Sequence, residues 1–95
     1  MSPVKKKKLN NLRKKLDQLD NSFIKLVKKR TNLINNVIKL KDKKSQIVDK
    51  KRIKKILNRI KAKSIKNRID PKVTNKIWKN MIWAYIDYER RNFKK

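Results

Sequence analysis

Apolar residues recur at three- and four-residue intervals from Leu12 to Val37, through Leu16, Leu19, Phe23, Leu26, Leu33 and Ile34. That spacing predicts a helix with one buried face. With no Gly and no internal Pro to interrupt it, helix one is expected from about Leu9 to Asp42. Lys43 to Val48 breaks the period and reads as a short loop carrying Ser45 and Gln46. Asp49 is a good N-cap for a second helix, with Ile53, Ile56, Leu57, Ile60 and Ser64 on one face and Asn67 placed to take a left-handed cap. Asp70 followed by Pro71 is an N-cap with proline at the first helical position. The third helix then carries Trp78, Met81, Ile82, Tyr85, Glu89 and Phe93 on one side, nearly to the end of the chain. No strand pattern and no repeat competes, so the fold class is all-α, three helices with a long first one.

The lengths are unequal, and that bears on assembly. A helix of about 33 residues is about 50 Å long, whereas a compact chain of this size has a radius of gyration of about 12 Å. Helix one should overshoot its own monomer and leave apolar stripe uncovered. A second copy of the chain would cover it, which predicts an intertwined homodimer built around antiparallel first helices. Residues 1–8, with the run Lys5 to Lys8, read as a flexible basic N-terminus, and 9–95 as a single helical domain.

Charges interrupt the apolar faces. Arg30 falls in the middle of the first stripe, and Lys41, eleven residues on, lies only about 20° away on the same face. Buried cations cost several kcal/mol unless anions meet them. Glu89 repeats the anomaly on helix three, eleven residues after Trp78 and among aromatics, where its charge is disfavoured unless Arg30 or Lys41 pairs with it. A structural ion pair is the plain alternative. Two cations with one carboxyl, and Arg52 in the first turn of helix two, leave a surplus of positive charge that suits a small dianion.

Composition narrows the chemistry. There are 32 Lys plus Arg against 7 Asp plus Glu, a formal charge of +25 on 95 residues, which first suggests a nucleic-acid binder. Lys, Asn and Ile together make up half of the chain, and all three have A/T-rich codons, so biased coding accounts for the excess equally well. No zinc-finger spacing, glycine-bearing helix-turn-helix corner or basic zipper is present; most lysines read as a solvated face, and no nucleic-acid partner is expected. Without Cys or His, disulfides, thiol nucleophiles, imidazole bases and the usual zinc sites are excluded. The N-terminal run has no apolar core behind it and no stretch approaches a membrane span, so a soluble, cytoplasmic protein with no membrane partner is expected.

Several segments taken in order carry a family pattern. Leu12-Arg13-x-x-Leu16-Asp17-x-Leu19-Asp20, Lys29-Arg30-x-x-Leu33 and Val37-x-x-x-Lys41 closely resemble the long first helix of the all-helical chorismate mutases. The likeness continues through Asp49-x-x-Arg52, Ile69-Asp70-Pro71 and Ile77-Trp78-x-x-Met81-Ile82-x-x-Tyr85-Ile86-x-x-Glu89. It implies the rearrangement of chorismate to prephenate, toward phenylalanine and tyrosine in the shikimate pathway, by a dimeric isomerase with two sites and no cofactor. By that resemblance Arg13 crosses from one protomer to bind a substrate carboxylate in its partner's site. Arg30 holds the other carboxylate, and Lys41 hydrogen-bonds the ether oxygen. Arg52 adds positive field, Asp49 approaches the ring hydroxyl, and Glu89 stands where the family commonly has Gln, facing the ether oxygen. Tyr85 occupies a position that is often small in the mutases and Tyr-like in the related isochorismate-pyruvate lyases.

A pericyclic shift needs neither nucleophile nor proton shuttle, which fits a chain without His or Cys. It needs a site that holds the substrate in a compact chair and aims donors at the ether oxygen. Directly after Arg52 the mutases often place a Glu; here the residue is Ile53, and the lyases also lack that acid. Isochorismate-pyruvate lyase is therefore the alternative expectation, followed by a basic nucleic-acid-binding helical protein.

Overall fold

The computed structural model describes residues 1–94; Lys95, the last residue of the expected domain, lies outside them. Three α-helices, α1 (Pro3–Leu40), α2 (Lys50–Lys66) and α3 (Pro71–Asn92), follow one another, with a single 3-10 turn at Lys44–Gln46 and no strand among the described residues. The chain divides into two compact units, residues 1–33 and residues 34–95.

The first unit is the N-terminal part of α1. It is helical from Pro3, not from Leu9 as the periodicity suggests, because Ser2 caps it: the Ser2 Oγ accepts the Lys5 N–H at 3.2 Å, and Pro3 takes the first helical position. The basic run Lys5 to Lys8, expected as a flexible lead-in, thus lies within the helix. Leu12, Leu16, Leu19, Phe23, Leu26 and Leu33 are all exposed, between 57% and 65%. The apolar face that periodicity assigns to a buried environment is bare in the single chain.

The second unit holds the core. Ile47, Ile56, Ile60, Ile82 and Ile86 are buried together, with Val48, Ile53, Leu57, Trp78 and Phe93 packed around them. The expected faces of α2 and α3 are the ones that meet, although Thr74 and Ile86 join them without having been singled out by the pattern. Thr74 is polar, and it is buried because its hydroxyl lies 2.6 Å from that of Ser64, whose Oγ is also 2.6 Å from the Ile60 carbonyl. This hydroxyl pair ties the end of α2 to the start of α3.

The helix ends follow local chemistry. α1 stops at Leu40, two residues before the expected Asp42, because the Gln46 Oε1 accepts the N–H groups of Asp42 at 2.7 Å and Lys43 at 2.9 Å and turns the chain out of the helix. Asp49 and Asp70 cap α2 and α3 as expected, accepting the N–H of Arg52 at 3.0 Å and of Lys72 at 2.9 Å. The left-handed position after α2 is Arg68, with φ 58°, and not Asn67, with φ −92°. The backbone explains the shift: Ile69 N–H bonds the Ser64 carbonyl at 2.9 Å and Arg68 N–H that of Ile65 at 3.1 Å. These are the paired bonds of a Schellman cap, which puts the left-handed residue at the second place after the helix. Asn67 instead donates its side-chain amide to the Lys63 carbonyl at 2.8 Å.

Candidate active site

Within the second unit, the last turn of α1 delivers Lys41 to the C-terminal half of α3. Lys41 lies just past the helix, its N–H bonded to the Ile38 carbonyl at 3.2 Å, and its Nζ donates to the Glu89 Oε1 at 3.0 Å. The two side chains are 21% and 6% exposed. Lys41, one of the two cations that the sequence offers to Glu89, pairs with it. A carboxylate so deeply buried needs its cation. An ammonium has three N–H groups, so Lys41 can keep the Glu89 bond and still offer a donor elsewhere.

That donor borders a cleft of about 650 Å³, open to solvent and lined by Leu40, Lys41, Gln46, Val48, Asp49 and two lysines, Lys50 and Lys51. Three lysines line it against Asp49, and with Glu89 bound to Lys41 the balance is still positive by one charge, which favours anions. Asp49 already spends Oδ1 on the α2 cap, which fixes its carboxyl at the rim. Arg52 follows one turn into α2 and is exposed; it does not line the cleft.

Tyr85 sits one turn before Glu89, half-buried, its ring edge-on to Tyr88 at 6.2 Å between centroids and 84° between planes. Tyr88 in turn donates its hydroxyl to the Asn35 Oδ1 at 2.7 Å, a link between α1 and α3 that the apolar pattern does not foreshadow. Gln46, to which the sequence gives only a place in a short loop, shapes the turn and lines the cleft. Its position three residues after Lys43, just past a helix end, is the one available signal.

Arg13 and Arg30 belong to the first unit. Arg13 is exposed, whereas Arg30 is half-buried and its Nε is shielded from solvent. Among the described residues no cluster of three or more acidic side chains is placed to hold a metal ion.

Residues 12–90 match the family described as chorismate mutase type II. The chain belongs to that family. No curated protein and no solved structure gives a match. The match spans every residue singled out above, from Arg13 in α1 to Glu89 in α3, and the family is all-helical, of isomerase type, with a small-molecule substrate. No helix is long and apolar enough to cross a membrane among the described residues.

Proposed function

We propose that the protein is a chorismate mutase, converting chorismate to prephenate in the cytoplasmic route to phenylalanine and tyrosine. The observation that carries this reading is the Lys41–Glu89 pair, a 3.0 Å contact with Glu89 almost fully buried, at the edge of a cation-rich cleft in a chain of this family. In the rearrangement the ether C–O bond breaks as the new C–C bond forms, and negative charge gathers on the ether oxygen. Lys41 supplies a preorganised ammonium N–H to that oxygen, a contact that strengthens in the transition state and contributes about 3 kcal/mol. Glu89 holds Lys41 in place through their ion pair. Arg30, and Arg13 from the partner, neutralise the substrate carboxylates. Arg52 adds field, Asp49 meets the ring hydroxyl, and Tyr85 packs beside the bound ring.

The active unit is an intertwined homodimer, with residues 9–95 as one helical domain in each copy. Six apolar side chains on one face of α1, each more than half exposed, support it. A face of that kind is costly to leave in water and suits its own copy across a two-fold axis.

Ile53 favours a second reading, isochorismate-pyruvate lyase, since it stands where mutases often have Glu. Incubating the purified protein with chorismate and, separately, with isochorismate distinguishes them. The mutase reading expects prephenate from chorismate. Salicylate and pyruvate from isochorismate, with no prephenate from chorismate, would establish the lyase instead.

A further inference from the structure

α2 carries nine Lys and Arg in 17 residues and no acid. Its exposed residues Lys50, Lys54 and Lys61 lie within about 40° of one another round the helix. Across from them α3 presents Lys72, Lys79 and Trp83 on one line, within about 40° of each other, and its first acid is Asp87, a turn beyond Trp83. The two rows face the same furrow. One stretch of it, about 390 Å³, is bordered by Lys50 and Lys54 on one side and by Lys79 and Trp83 on the other. The next stretch, about 290 Å³, is bordered by Lys61 and Lys72. Both share Leu57, Asn58 and Asn75, so they form one continuous trough with an apolar strip and two amides along it. The carboxylates nearest its ends, Asp49 and Asp70, are engaged as helix caps.

Trp83 gives the trough a chemical character that lysine alone does not. Its indole is 48% exposed, while Trp78 packs against the core. A/T-rich coding explains abundant lysine, but it works against Trp, whose codon carries two G. An exposed indole at the end of a lysine-lined furrow is the pairing that single-stranded nucleic acids use: ammonium groups along the phosphates and a ring on which a base stacks. Each row spans eleven residues, about 16 Å of helix. We propose that the α2–α3 trough binds single-stranded nucleic acid without sequence preference; Lys50 borders both the trough and the Lys41 cleft, and the other four lysines and Trp83 border the trough alone. The sequence reads these lysines as a solvated face; the fold lines five of them along one furrow that ends at an indole.

The test uses the full chain and a fluorescein-labelled dT12 oligonucleotide, with anisotropy and tryptophan quenching read across a salt series. Five phosphate contacts predict a slope of log K against log salt of about −3.5, and Lys54→Gln/Lys61→Gln/Lys79→Gln should bring it to about −1.4. Trp83→Ala should weaken dT12 binding by about 5- to 100-fold while leaving affinity for heparin, a polyanion without bases, unchanged. Circular dichroism confirms that these surface variants fold. The proposal is overturned if the protein does not bind dT12, if Trp83→Ala binds it as the wild type does, if the triple variant keeps the full slope, or if anionic phospholipid vesicles displace dT12 at equal phosphate concentration.

Discussion

Phe23→Ala probes the dimer at the middle of its proposed interface. Phe23 is 59% exposed in the single chain. A Phe side chain offers about 200 Å² for burial, so covering the exposed part removes about 120 Å² from water, or about 3 kcal/mol at 25 cal/mol per Å². A two-fold interface uses the residue twice, for about 6 kcal/mol per dimer. Partial repacking around the cavity recovers some of this. The dimer dissociation constant should therefore rise by about three orders of magnitude or more, at 1.4 kcal/mol per factor of ten. Sedimentation of labelled protein from nanomolar to micromolar concentration measures the shift directly. Ile24→Ala, 100° further round the helix on a residue that is 69% exposed, should change the constant little. A wild-type chain that sediments as a monomer at micromolar concentration, or a Phe23→Ala dimer as tight as the wild type, would refute the reasoning.

Sharing of the site between copies predicts complementation: when inactive Arg13→Ala and Arg30→Ala chains are unfolded and reassembled in equal amounts, half of the dimers are mixed and carry one intact site, so turnover should recover to about a quarter of wild type. No recovery in verified heterodimers would place both arginines in one chain's site. Arg68→Gly relieves a left-handed residue at the end of α2 and should raise stability by about 0.5–1 kcal/mol, read as a higher urea midpoint.

The three helices were legible because their signals are local. Asp49 and Asp70-Pro71 announce α2 and α3 within one turn, and the apolar faces of both helices repeat at helical spacing. Ser2-Pro3 obeys the same rule as Asp70-Pro71, but the lysine run behind it hid the cap. The end of α1 and the Schellman turn depend on backbone groups finding partners, Gln46 in one case and the Ser64 and Ile65 carbonyls in the other, and residue type alone does not select among such partners. At the site, the misfit of Lys41 and Glu89 with their apolar faces marks each as needing a counter-charge, but it does not choose between Lys41 and Arg30 for Glu89; the Lys41–Glu89 pair emerges only in the fold. The Ser64–Thr74 and Tyr88–Asn35 contacts escaped because hydroxyls and amides sit equally well at the surface, and nothing in the pattern marks which of them turn inward.

The most direct test of the account compares Glu89→Gln with Lys41→Met/Glu89→Gln for turnover of saturating chorismate per folded chain. Removing Lys41 alone would strand the Glu89 carboxylate, whereas against the neutral Gln the methionine isolates the ammonium donor while keeping an apolar stem. If Lys41 donates to the ether oxygen, the double variant folds as stably as the single one and loses about two or more orders of magnitude in kcat. Turnover within about threefold of the Glu89→Gln protein would contradict the account and make Lys41 a structural partner only.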